Sequence, residues 1–273
     1  MKSISASKYP YRICMANSEG GLVYPFFRNE NGTNRMLLVS PQHGRSFIVD
    51  HVESNRWIVS KGNGLSYTSN SFITTSEQEL DVWGLLLMND AKRDFTLGNE
   101  ISSLGIVTNK MEYVIELDLP LVVREREIKP VLLQYSVECP YRISDAQFME
   151  SHMIRSFVKT WAVNYNLDKH LPYYLQAAEV LISNLSILHG NGILHNAISS
   201  QNYTWALELV DFELASSPLH PYTEEDAQRH VPDLFQREIL QSYQIILDIA
   251  GVLRENVSFE CISNLFMKYG FYI

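Results

Sequence analysis

Through the first half of the chain, apolar residues come in short runs separated by polar turns. Residues 35–40 (RMLLVS), 46–49 (SFIV) and 56–60 (RWIVS) have the length and the apolar, β-branched character of strands. A stretch with helical character is predicted from about 77 to 104. Residues 112–117 (EYVIEL), 119–124 and 130–137 (PVLLQYSV) then return to a strand pattern. The second half has a different texture. Residues 145–164 and 171–189 are predicted as amphipathic helices, the latter from the spacing of Leu175, Val180, Leu181, Leu185 and Leu188. A polar interruption, HGNGILHNAISSQN, precedes an apolar, hairpin-like piece at 203–214. Helical patterns resume at 233–253 and 259–269. Strands early and helices late predict an α+β protein, with a strand-rich part over 1–138 and a helical part over 139–273.

Composition narrows the function classes. At 273 residues and 46% hydrophobic content, the chain is able to bury a substantial core, and no repeat or low-complexity tract is present. A net charge of -9 argues against nucleic-acid or anionic-membrane partners, which call for a basic surface. No apolar run approaches the roughly 18 residues of a membrane span, and the first residues lack the apolar segment of a signal peptide. Cys14, Cys139 and Cys261 are scattered and odd in number, which predicts reduced core residues in a cytoplasmic protein rather than a disulfide framework or zinc site.

The candidate chemistry begins with Asp211 in LELVDFEL, at the end of an apolar strand. A carboxylate there is either an ordinary turn residue or a metal ligand beside a phosphate. Upstream, the eight residues from His195 to Asn202 (HNAISSQN) have the length and both end residues of the protein-kinase loop H-R-D-x-x-x-x-N. In kinases that Asn and the following motif Asp both bind metal. A strand-turn-strand hairpin between Asn202 and Asp211 would bring the two together. His195 reads as a packing residue in preference to a proton carrier. Lys61 follows an apolar strand and precedes Gly62-Asn63-Gly64, while Glu100 lies in a helical context. Each has an ordinary surface reading. In order along the chain, however, Lys, Glu, Asn and Asp match a kinase-like phosphate and metal set.

Longer stretches resemble the selenoprotein O family. RWIVSKGNGLSYT (56–68) is similar to its Lys-Gly-x-Gly segment, and LGNEISSLGIVTNKM (97–111) to its Glu-bearing helix. PVLLQYSVECPYRISDAQF (130–148), GILHNAISSQN (192–202) and VDFE (210–213) follow in the family's order. The resemblance covers about residues 40–215, in a chain shorter than typical members. It implies a two-lobed protein-kinase-like fold of reduced size, with ATP and Mg (or Mn) as cofactors. The implied activity is transfer of AMP or phosphate to a hydroxyl on an unidentified protein, peptide or small molecule. By position, Lys61, Gly62, Gly64 and Arg142 would meet the nucleotide, Glu100 would pair with Lys61, and Asn202 and Asp211 would hold the metal. Arg142 reads equally as a surface residue. Two departures stand out: Ala197 replaces the usual kinase base, and Gln201 replaces the family's Asp before the metal Asn. Gln accepts no proton at neutral pH. Residues 42–45 (QHGR) are only a fragment of a phosphate loop. The alternative is therefore a catalytically inactive pseudokinase that regulates a partner.

Overall fold

The computed structural model describes residues 2–17, 21–29, 35–39, 44–52, 55–64, 84–123, 126–221 and 231–273. The chain divides into two compact units, one comprising Met1–Asn99 and Asn109–Pro140, the other Glu100–Thr108 and Tyr141–Ile273.

The first unit is built on an antiparallel sheet. Its strands are β1 (Lys2–Lys8), β2 (Tyr11–Ala16), β3 (Phe26–Arg28), β4 (Arg35–Val39), β5 (Ser46–Val52), β6 (Arg56–Lys61), β7 (Lys110–Leu117) and β10 (Val131–Val137), in the order β2-β7-β10-β6-β5-β4-β1-β3. Strands β8 (Leu121–Val123) and β9 (Arg126–Ile128) form a separate hairpin. Helix α1 runs over Met88–Ser103. β10 lies inside the sheet and all seven of its residues are buried, the polar Gln134 and Ser136 included, so both of its faces are covered. Ile4, Ala6, Leu37, Phe47, Val49 and Ile58 form one core cluster, and Phe27, Leu85, Ile115, Leu117 and Leu132 a second.

The second unit is helical. A 3-10 helix (Ile143–Phe148) leads into α2 (Ser151–Val158), α3 (Trp161–Asn164), α4 (Tyr173–Gly190), α5 (Val231–Leu253) and α6 (Phe259–Lys268). α4 packs against both α5 and α6, and buried residues occur on more than one of its faces, Ala177, Val180, Leu181, Ile182 and Leu188 among them. Trp161 stacks on Trp205, with ring centroids 6.2 Å apart, and its indole N–H donates to the Trp205 carbonyl at 2.9 Å.

Several expectations change. β1, β2, β3 and β9 lack a strong sequence pattern. Residues 145–164 form a 3-10 turn and two short helices rather than one helix. The part of the predicted helix before Gly84, and Arg124, lie outside the described residues. Residues 100–108 belong with the helical unit because Thr108 bridges Leu209 and the Leu209 N–H donates to the Val107 carbonyl at 3.0 Å. All three cysteines are free, but only Cys139 is buried. Cys14 lies on the edge strand β2, and Cys261 is exposed on α6.

Candidate functional site

Lys61 closes β6 in the interior of the sheet, registered against Leu133 of β10 and Ser46 of β5. An ammonium buried there requires a counter-charge. Asp94 of α1 supplies it: Nζ to Oδ2 is 2.7 Å, with side chains only 5% and 2% exposed. This corrects the expected pairing with Glu100. The two acids are six residues apart on α1, about 9 Å along the axis and roughly 120° around it. They therefore face different surroundings. The Glu100 carboxylate instead accepts the Ser217 hydroxyl at 3.0 Å.

The glycines after Lys61 are set by the backbone around them. Gly62 has φ +105, and a Cβ on it would lie 2.3 Å from the Val131 carbonyl oxygen. Its N–H donates to the Arg45 carbonyl at 2.8 Å, and the Gly64 N–H to the Gly84 carbonyl at 2.8 Å. Both donors are thus committed to the backbone. The two glycines are required by close packing and positive φ. Gln42 and His43 lie outside the described residues.

In the second unit, residues 194–216 are fastened at both ends by paired hydrogen bonds between Leu194 and Ser216, at 3.0 and 2.8 Å. Between them lies the hairpin. Tyr203 bridges Leu209, the Val210 N–H donates to the Asn202 carbonyl at 3.0 Å, and Leu207 takes the turn at φ 60. Asn202 and Asp211 thus stand at the open end of one hairpin. The Asn202 amide nitrogen donates to the Ala197 carbonyl at 2.8 Å, which leaves its oxygen as the opposite end of the group. Asp211 holds φ 72, a left-handed conformation that costs energy in any residue but glycine. Arg142 is registered against Thr204, and its own N–H donates to Asp145 at 2.8 Å, so this residue flanks the same hairpin. His195 is fully buried, 3.1 Å from the Val210 carbonyl through Nε2, with its ring against Phe212. Burial pushes the Tyr203 phenol above its ordinary value, partly opposed by a hydrogen bond with Asn184.

No protein-family model matches the chain, and no curated protein matches it. Solved structures do. The chain is similar to the ROP18 kinase domain in complex with AMP-PNP and sucrose, at 12% identity and a TM-score of 0.41, over 96% of this chain and 83% of that chain.

Three acidic residues near these features escaped the sequence reading. Asp94 carried a signal: Ala91, Asp94, Phe95, Gly98 and Ile101 are all buried at helical spacing, so Asp94 is a charge on an apolar stripe and Glu100 is off it. Glu238, 1% exposed on α5, accepts the Asn196 N–H at 2.6 Å and lies 3.0 Å from His189 Nε2. Neighbouring Arg237 donates to the Asn196 carbonyl at 2.9 Å. Asp248, also on α5, accepts the Ser200 hydroxyl. α5 therefore grips the loop from His195 to Asn202 at two points, and no local pattern in the loop foretells that.

Proposed function

We propose that the chain is a kinase-like module that binds ATP with a divalent cation and transfers AMP or phosphate from it to a hydroxyl of a protein, peptide or small molecule. The buried Lys61–Asp94 pair carries this reading. Burying two charges gains little stability, and apolar residues of similar volume would serve a core as well or better. A lysine stem held by a carboxylate is suited to present its ammonium to phosphate oxygens. Support also comes from Asp211, where a strained φ of 72 is maintained next to a hairpin that carries Asn202.

The donor set fits a hard cation. Asn202 offers an amide oxygen and Asp211 a carboxylate, the ligand types of Mg or Mn. These two residues would hold the ion, which when bound neutralises phosphate charge. Lys61 would bind phosphate, and Arg142, beside the same hairpin as Asn202, is a further phosphate-binding candidate. In the reactive loop, α5 holds Asn196 by both backbone groups.

A second reading, the inactive pseudokinase, is favoured by the loop itself. Ala197 has no ionisable group, Gln201 is exposed and neutral, and residues 195–202 contain no carboxylate to accept a proton. The test uses ATP labelled separately at the α and γ phosphates, with protein and small hydroxyl acceptors, beside thermal-shift titrations of ATP with and without Mg. Movement of either label supports the transferase and identifies the group transferred. A Mg-dependent shift without label transfer supports the pseudokinase. Absence of both refutes nucleotide binding altogether.

A further inference from the structure

Glu100 ends up with work of its own once Asp94 has taken Lys61. Its Oε2 accepts the Ser217 hydroxyl at 3.0 Å and lies 4.0 Å from His220 Nε2. Ser217 is 4% exposed, so this hydroxyl has little access to competing water. The same hydroxyl accepts the His220 N–H at 3.1 Å. That contact closes a tight turn in which the His220 N–H also reaches the Ser217 carbonyl at 3.1 Å and the Ser217 N–H the His220 carbonyl at 3.3 Å. The chain after Asp211 is therefore held from two sides. On one side are Leu194, paired with Ser216, and Asn196, whose amide donates to the Leu214 carbonyl at 2.9 Å. On the other is a charged side chain, Glu100, from the C-terminal end of α1.

We propose that Glu100 is a positioning residue: through Ser217 it fastens the segment that follows Asp211, and so maintains Asp211 in its left-handed conformation. A strained backbone persists only where its surroundings over-determine it. The Glu100 bond is charge-assisted and so among the stronger hydrogen bonds available to the segment. Removing it leaves the segment held by the Leu194 and Asn196 contacts alone, so that the Leu194–Ser216 pairing opens more often. The functional consequence, weaker cation-dependent nucleotide binding, rests on the reading of Asp211 as a metal ligand. The mechanical consequence does not.

Amide hydrogen exchange separates the two. Wild type, Glu100→Ala, Glu100→Gln, Ser217→Ala and the Glu100→Ala/Ser217→Ala double variant are compared at the amides of Leu194, Ser216 and His220, with amides of α4 as the internal control. Loss of a hydrogen bond to a charged group predicts about tenfold to a hundredfold faster exchange at Ser216 and His220 in both alanine variants. The double variant is expected to be no faster than the faster single. Glu100→Gln, which keeps an acceptor, should fall between wild type and Glu100→Ala. Unchanged exchange in Glu100→Ala, additive effects, or equal acceleration throughout α4 would each overturn the proposal. The Mg-dependent part of ATP affinity is then measured in the same proteins. Its loss, with the Mg-independent part retained, extends the role to the site. The exchange pattern without any ATP binding in wild type leaves Glu100 as the fastener and removes the nucleotide reading instead. ATP binding in wild type with no change in its Mg dependence in Glu100→Ala overturns the link to Asp211.

Discussion

Replacing Lys61 with methionine isolates what the buried ammonium does. Methionine keeps an unbranched apolar stem but removes the charge 2.7 Å from Asp94, whose side chain is 2% exposed. Breaking a buried pair from one side costs about 3–5 kcal/mol, a large part of the roughly 5–15 kcal/mol that holds an ordinary domain together. Asp94→Leu should cost a similar amount by taking that carboxylate from the buried ammonium. In the Lys61→Met/Asp94→Leu double variant both charges leave together, and an apolar pair in their place is expected to be neutral or somewhat stabilising. Urea unfolding should thus show two unstable single variants and a double variant near wild type, a coupling of about 3 kcal/mol or more. ATP affinity, measured alongside, should behave differently and be lost in Lys61→Met and in the double variant alike. Stability recovered without affinity would mean that the pair exists for the nucleotide and not for the fold. Additive stability losses would refute the pairing, and ATP affinity indifferent to Lys61→Met would refute its purpose. Glu100→Ala should combine additively with Lys61→Met in stability, since its carboxylate is bonded to Ser217.

Gly62→Ala should destabilise by about 2–4 kcal/mol in urea unfolding, from left-handed strain together with overlap on the Val131 carbonyl, where the added Cβ would lie at 2.3 Å; a loss under about 0.5 kcal/mol would refute the packing argument. Asp211→Gly and Asp211→Ala should both lose Mg-dependent ATP affinity, but the glycine variant should be the more stable by about 1 kcal/mol because it adopts φ 72 without strain. Equal unfolding midpoints would mean that the backbone there is not strained. Tyr203 gives a pH signature: its folded pKa is raised by burial above the ordinary 10.0, so the folded protein retains a proton that the unfolded chain releases. Its contribution is complete below pH 10 and is lost as pH rises beyond it. The stability advantage of wild type over Tyr203→Phe should accordingly shrink as pH rises above about 10, and an advantage that stays constant there would contradict the burial.

The strands and helices most legible in the sequence are those with dense apolar runs. β6, β7, β10, α4 and α5 each bury several residues at strand or helix spacing, and α6 buries Ile262 and Phe266 four apart, so their patterns predict them within a few positions. β1 (KSISASK) is different. Only Ile4 and Ala6 join the core, between serines, and the segment becomes a strand because β3 and β4 lie on either side to pair with it. That partnership is non-local and leaves no period in the sequence. The break of 145–164 into three short pieces has the same origin: Ile143 and Ser144 donate to the Tyr203 and Ser200 carbonyls, at 2.9 and 3.0 Å, and so tie the start of the segment to a distant loop.

Of the candidate site, residue types and their order along the chain were determined by the sequence alone: a lysine at the end of an apolar strand, an asparagine and an aspartate nine residues apart on an apolar hairpin, and a loop without a basic carboxylate. The phase of α1 was there as well, since a stripe that includes Ala91, Asp94 and Phe95 already sets Asp94 inward. Which carboxylate meets which donor was decided only by the tertiary structure. Asp94 took Lys61, Glu100 took Ser217, Glu238 took the Asn196 backbone, and the donors of Gly62 and Gly64 went to neighbouring carbonyls. The reason is one of range. Apolar burial is non-directional and leaves a periodic record in composition, whereas a hydrogen bond or ion pair demands partners within about 3 Å, and chain segments far apart in sequence reach that distance only when the whole backbone is in place.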